Sequence, residues 1–222
     1  MKLLRFILLI LLLPVACAHL PEIRKADDGA ERQASECTGI FPQGEWQFAH
    51  TIQIFPPGGS KQTLLGIIQM SSRNRTFHCV MMTIEGLVLF EAHYDGAITI
   101  QRAVPPLDKP GLAEGMVRDI LLLFFPPEQH CTATGLSQAQ EWVCRYPSVD
   151  QGFQDIVLRP DHTWQIRRYS QSQRLLRTIA PLAKEDINPN RLATRVELKA
   201  HGLAGYRLIM SLMEAIPLDG NR

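Results

Sequence analysis

The stretch Gln62–Val104, QTLLGIIQMSSRNRTFHCVMMTIEGLVLFEAHYDGAITIQRAV, decides the fold. Residues of one character recur in it at every second position, the spacing that puts alternate side chains on opposite faces of a strand. Three short breaks divide it into four strands. Leu64, Gly66, Ile68 and Met70 share one parity; after Ser71-Ser72-Arg73-Asn74 a second run has Val80, Met82 and Ile84 on one face and Phe77, Cys79 and Met81 on the other, so both faces are apolar. The third run sets Val88, Phe90, Ala92 and Tyr94 opposite Leu87, Leu89, Glu91 and His93. Asp95-Gly96 then turns into Ala97-Ile98-Thr99-Ile100, and an Asp-Gly pair between alternating runs is a strong hairpin signal because both residues tolerate positive φ. The stretch reads as an antiparallel meander.

Upstream, Trp46, Phe48, Ile52 and Ile54 alternate in a strand that ends at Pro56-Pro57-Gly58-Gly59. Downstream, Pro105-Pro106 and Pro110 stop the sheet, and the period changes to that of a helix over Gly111–Phe125, with Leu112, Met116, Ile120 and Leu123 on one stripe and Val117, Leu121 and Phe124 beside it. From Ile120 onward the helix is apolar nearly all round, so this end should be buried against the sheet until Pro126-Pro127 closes it. Gln129–Gln151 reads as a polar excursion bracketed by Cys131 and Cys144. Strands then come at Phe153–Arg159, Thr163–Tyr169, Leu175–Ile179, around Val196 and Leu198, and from Tyr206 to Leu212. The expectation is ten strands and one firm helix in a mainly β chain. A single antiparallel sheet so wide must curl, because strand twist accumulates, and a helix against its concave face would fill the interior.

Met1–Ala18 has the three parts of an export signal: Lys2 and Arg5, the apolar run Phe6–Leu13, then small residues around Val15-Ala16-Cys17-Ala18. The apolar run is shorter than the ~20 residues that span a bilayer. Leu13-Pro14-Val15-Ala16-Cys17 resembles a lipobox, with cleavage before Cys17 and acylation of that residue. Ala16-Cys17-Ala18 also fits ordinary signal peptidase, which would leave His19 first and the protein soluble in the periplasm. Five cysteines are present; giving Cys17 to a lipid leaves Cys37, Cys79, Cys131 and Cys144, an even set for an oxidising compartment, and this favours the lipoprotein. Cys131 with Cys144 and Cys37 with Cys79 would staple neighbouring segments, but three pairings are open to four cysteines. His19–Gly44 is polar and aperiodic and reads as a tether.

Loss of Lys2 and Arg5 takes 23 basic residues to 21 against 22 acidic ones, a balance that excludes the dense basic field of a nucleic-acid binder. Phosphate loops, nucleophile elbows and zinc helices are absent from the sequence. In the pairs His78-Cys79 and His130-Cys131, strand neighbours point to opposite faces and an exported cysteine tends to be oxidised, so no metal site is expected. Neither a cofactor nor a catalytic residue is expected. The doubly apolar second strand, the methionines and the apolar helix point instead to a hydrophobic cavity, with Val80, Met82, Phe90, Met116, Ile120 and Leu123 as its expected lining.

Trp46–Ser71, Phe90 with Tyr94-Asp95-Gly96, Asp119–Pro126, Trp164-Gln165-Ile166-Arg167-Arg168-Tyr169 and Gly205-Tyr206-Arg207-Leu208 resemble a family of bacterial lipoproteins often encoded in aryl polyene biosynthesis clusters. That family is similar to the outer-membrane lipoprotein receptor and its periplasmic carrier, the LolA/LolB-like superfamily. The resemblance implies an open half-barrel closed by helices over an apolar cavity and a role in handling lipid, without catalysis. It also implies that the hairpin tip Thr83-Ile84-Glu85-Gly86-Leu87 faces the membrane through Ile84 and Leu87. The domains expected are a signal peptide over 1–16, a lipidated N-terminus and tether over 17–44, and one half-barrel domain over 45–222. The partners expected are a lipid-like ligand, acyl or aryl polyene, the outer membrane through the anchor, and a periplasmic carrier or export protein. A structural subunit of an export complex and a lipid-modifying enzyme are the alternative readings.

Ala18 after the cysteine resembles the lipoprotein sorting pattern for the outer membrane. Stable attachment takes more than one acyl chain, so Cys17→Ser is expected to move the protein from the membrane fraction to the soluble periplasmic fraction on cell fractionation. Unchanged membrane association, with His19 as the mature N-terminus, would show the other processing route.

Overall fold

The computed structural model describes residues 20–25, 35–109, 111–186, 192–202 and 205–218. Cys17 and the processing sites lie outside the described residues. Among those residues twelve strands form one antiparallel sheet that does not close on itself. The first five, β1 (Glu45–Phe55), β2 (Gln62–Ser71), β3 (Thr76–Met82), β4 (Val88–Tyr94) and β5 (Ile98–Ala103), run outward from the middle of the sheet to one edge. The other seven start at the opposite edge and return: β6 (Ala133–Leu136), β7 (Trp142–Pro147), β8 (Phe153–Leu158), β9 (Trp164–Tyr169), β10 (Leu175–Pro181), β11 (Arg195–Ala200) and β12 (Arg207–Pro217). β12 pairs with β1, so the first and last strands join the two meanders. Helix α1 (Leu112–Phe124) carries the chain from the β5 edge to the β6 edge.

The expected ten strands become twelve. The excursion read as polar loop contains β6 and β7, in which Val143, Cys144 and Tyr146 are buried while Arg145 pairs with Asp155. Short strands broken by Gly135 and interleaved with charge give little period-2 signal, and here the partner strand decides.

Register explains what each face does. Trp46, Met70, Phe77, Tyr94 and Ile98 lie side by side across β1 to β5, followed by Phe48, Ile68, Cys79, Ala92 and Ile100, then by His50, Gly66, Met81, Phe90 and Ala103. These rows face α1, and their buried members form one core with Ala113, Val117 and Phe124 of the helix. A second core gathers Tyr146, Ile156, Trp164, Ile166, Ile179 and Leu198 from β7 to β11, and Leu122 of the helix belongs to it. Leu123 packs against both cores. One helix in contact with both halves means that the sheet is wrapped round it as an open half-barrel.

Val80 and Met82 are on the other face, beside Ile67 and Glu91 and beside Leu65 and Val88 respectively, and cannot line a cavity under the helix. Their strand is apolar on both sides, so its own periodicity cannot choose. The choice is made by register, which sets Phe77 opposite Met70, and a one-residue slip would invert every side chain.

The expected tether contributes to the domain. Arg24 pairs with Leu136, Arg145 donates to the Pro21 carbonyl at 2.8 Å, and Cys37, Ile40 and Phe41 are buried in the second core. Gly135 is required at this contact: its φ is 156°, and a Cβ there would run into the Arg24 carbonyl. The docked segment lies along β6, the outermost strand at that edge. Cys37 is bonded to Cys144, while Cys79 and Cys131 are free thiols. This corrects the reading of four bridged cysteines: Cys79 faces the first core and Cys37 belongs to the second, so that pair could not form.

The bond spans 107 residues of sequence, and the loop-entropy argument gives it a contribution of about 5 kcal/mol. Peptide mapping without reduction should return one linked pair holding Cys37 and Cys144, with buried Cys79 alkylated only after unfolding. The Cys37→Ser/Cys144→Ser double variant should unfold at markedly lower urea; an unchanged midpoint would show that the bond adds nothing.

Candidate functional site: a cavity at the seam of the two half-sheets

The two cores do not meet perfectly. Between them, beneath the C-terminal half of α1, is a cavity of about 40 Å³. Phe48 and His50 of β1 and Met210 and Leu212 of β12 form its floor, where the two meanders are joined. Leu123 and Phe124 of α1 lie over it. Trp164, Val196, Leu192 and Ala193 bound it on the side of the second core, and Ile40 and Pro42 of the N-terminal segment complete the wall. A volume of this size takes a water or two, whereas ligand pockets usually enclose several hundred cubic ångströms. The cavity is small and only partly enclosed, and anything chain-like needs room that α1 or the 40–42 segment must yield.

What pins α1 is polar. Asp119, 8% exposed, projects toward the second half-sheet, where Arg177 of β10 donates to its Oδ1 at 2.9 Å and the Tyr206 hydroxyl donates to its Oδ2. The Arg177 guanidinium also lies over the Tyr206 ring, 5.5 Å from its centroid. Burial raises the Asp119 carboxyl above its ordinary pKa, against the opposing pull of Arg177 and Tyr206. Just past the helix, Arg75 donates to the Pro126 carbonyl at 2.6 Å and to Glu128 at 2.8 Å, and sits over the Phe125 ring. The other end of α1 is held less: Gly111 precedes it at φ 70° with no side-chain cap, and Leu112 is 36% exposed.

Of the residues expected to line a cavity, Leu123 does so. Phe90 is buried in the first core, and Met116 and Ile120 pack at the edge of that core. The helix is also rotated from the expected stripe, since Val117, fully buried, lies at its centre rather than Met116 and Ile120. Asp119 accounts for the rotation, because its carboxylate has to meet Arg177. A lone acid beside the apolar run Ile120–Phe125 was the signal in the sequence that marked this contact. Ile84 and Leu87 project at the β3–β4 tip with 64% and 59% exposure, in a turn closed by Thr83 and Leu87 with Gly86 at φ 90°. His78 points outward to Glu91 at 3.0 Å while Cys79 is buried inward, so this pair does not converge. Among the described residues no group of three or more His, Cys, Asp or Glu is arranged to hold a metal ion, and no helix is long and apolar enough to cross a membrane.

No protein-family model matches the chain, and no curated protein does. Solved structures match well. A LolA superfamily protein from Nitrosomonas europaea superposes with a TM-score of 0.59 at 12% identity, over 86% of this chain and 95% of that one. A domain assigned to outer membrane lipoprotein sorting from Vibrio parahaemolyticus gives 0.55 at 13% identity, over 87% and 95%. A DUF1329 family protein from Desulfovibrio piger gives 0.52 at 10%, over 86% and 92%. The chain shares the LolA-type fold. At such identities the likeness is one of architecture, and the residues of the site have to speak for themselves.

His50 is the polar residue in the cavity floor. Burial against Phe48 and Phe124 lowers its pKa from 6.5 to about 4, so the folded protein holds it neutral. The unfolded chain binds the proton at higher pH than the folded one. The stabilisation is therefore complete above pH 6.5 and is lost progressively down to about pH 4, on the order of 3 kcal/mol in all. Urea unfolding of wild type and His50→Phe at a series of pH values should give curves that diverge over this window, with wild type losing more on acidification. Parallel curves would show that His50 is solvated in the folded state.

Proposed function

We propose that this protein is an envelope lipid carrier or acceptor that takes an acyl or aryl-polyene chain between α1 and the concave face of the sheet, without catalysis. The observation that carries this reading is the small apolar cavity at the seam of the half-barrel, beneath Leu123 and Phe124 of the helix that touches both half-sheets. An apolar site between one helix and the concave face of an open sheet can accept and shield a hydrophobic chain once the helix or the 40–42 segment yields room. The LolA-type fold supports the reading, as does the assignment of one similar structure to outer membrane lipoprotein sorting. Buried Asp119 and half-buried Arg177 and Tyr206 are engaged with one another in fixing the helix, a structural use of groups that an enzyme would turn toward a substrate.

The same reading places the mature chain on the periplasmic side of the envelope, held to the outer membrane through Cys17, with Ile84 and Leu87 turned to the bilayer. An exposed pair of aliphatic residues on a short, closed hairpin suits transfer of a chain across a small gap.

Diphenylhexatriene, a polyene hydrocarbon that fluoresces in dry apolar surroundings, tests the cavity directly. Wild type should bind it in the micromolar range, and Ala193→Phe, which fills the wall of the cavity, should weaken binding by about tenfold or more. Overpacking can cost ~1–3 kcal/mol, so the variant is first shown to be folded by its unfolding midpoint. If wild type binds no such probe, the accessory-subunit reading takes the place of this one.

A further inference from the structure

Ten of the twelve side chains that line the cavity are apolar, and the other two, His50 and Trp164, carry polar ring nitrogens. Trp164 is 5% exposed and its indole N–H has no acceptor among the described residues. His50 is 7% exposed and its ring is set against Phe48 and Phe124, with centroids 6.1 and 5.9 Å away. Its ring nitrogens have no hydrogen-bond partner among the described residues, but they are not sealed from solvent as the Trp164 N–H is. Buried polar groups are nearly always satisfied, and an orphan donor in an apolar wall is a standing cost to the fold. Trp164 on β9 is such an orphan, and His50 faces the same cavity from β1 with its hydrogen-bonding capacity unused.

We infer that His50 and Trp164 form a seat for the carbonyl group of an acyl lipid, so that the protein selects chains that carry an ester or amide over plain hydrocarbon. This rests on the carrier reading above and narrows it. The indole N–H can only donate, and a neutral imidazole donates from one nitrogen and accepts at the other. A carbonyl oxygen can accept from both residues, and an amide N–H or neighbouring hydroxyl can meet the second imidazole nitrogen. A saturated chain alone would leave both groups unpaired while displacing any water that had served them. Size agrees with this division of labour. The cavity of about 40 Å³ has room for a group the size of a carbonyl but not for a chain, so the polar seat is already present while the space for the chain has to be made beside it. A few well-placed polar groups in an apolar pocket fix a ligand's orientation, and here they would draw the head of the chain into the seam between the half-sheets.

The test compares 1-monolauroylglycerol with 1-O-dodecylglycerol, which differs by lacking the carbonyl, as competitors of bound diphenylhexatriene on the mature full-length protein. Wild type should prefer the ester by about threefold to tenfold, the range of one or two hydrogen bonds. That preference should shrink toward unity in Trp164→Phe and in His50→Phe, each confirmed folded by thermal unfolding. Equal displacement by ester and ether in wild type would overturn the inference without any variant having to fold. A preference that persists in both variants would overturn it as well. Failure of the carrier reading looks different, since neither the probe nor either lipid would then bind.

Discussion

The chain leaves the sheet at the β5 edge and re-enters it at the β6 edge, eleven strand spacings away. Whatever connects those edges must cross one face, and α1 is what crosses it. The other features depend on that requirement. The face it crosses becomes the interior, so each strand is apolar on the side that the helix touches. The sheet has to bend round a single helix for both halves to reach it, which is why Leu123 belongs to both cores. One helix cannot fill the whole curved interior evenly, and the shortfall appears where the two cores meet, at the join of β1 with β12.

Position along the crossing is then a matter of specificity. Apolar packing alone would tolerate some sliding and rotation of a helix that is hydrophobic nearly all round from Ile120 to Phe125, because dispersion and burial are not directional. The contact of Asp119 with Arg177 and Tyr206 is directional. Desolvating such a group offsets much of its Coulombic gain, so its contribution lies less in net stability than in the penalty for any arrangement that leaves Asp119 buried without its partners. Arg75, clamped to the Pro126 carbonyl and Glu128, does the same just beyond the helix. One restraint acts on the second half of α1 and the other on the Pro126–Glu128 segment after it, which leaves Gly111 and the first turn as the end with least to lose by moving.

Much of this was legible in the residues. The alternation of β2 to β5, the Asp95-Gly96 turn and the change of period after Pro106 each have a local physical cause, and the order of elements and the curled sheet with a helix on its concave face could be read from them. Where local cause was lacking, the reading went astray. Val80 and Met82 occupy a strand apolar on both faces, and only pairing with β2 tells which face is inside. β6 and β7 alternate buried residues with Arg145, whose partner Asp155 lies in the next strand and is completely buried. The link between Cys37 and Cys144 depends on the N-terminal segment lying against the second core, a tertiary fact with no local sign. His50 and Trp164 were read as strand residues like any others. That they share a cavity without hydrogen-bond partners is a property of the seam, which exists only when the two meanders are joined.

The closed state and the proposed function pull in opposite directions, and their balance is what the site expresses. A cavity that admits a chain must be several times larger than the one present, so on the proposed reading a ligand would bind a conformer that the empty protein populates weakly, and its apparent affinity would fall by that population. A tightly sealed half-barrel protects the empty interior from collapse or aggregation but taxes binding, while a loose one binds readily and exposes its core. The polar groups of this protein are distributed so as to soften that conflict. Those that fix α1 are satisfied in the closed state and favour it. In the cavity the Trp164 N–H is unsatisfied, and on the proposed reading a ligand carbonyl would supply its partner. Differential stabilisation of this kind, against closure without cargo and for occupancy with it, is the condition under which a ligand can shift such an equilibrium.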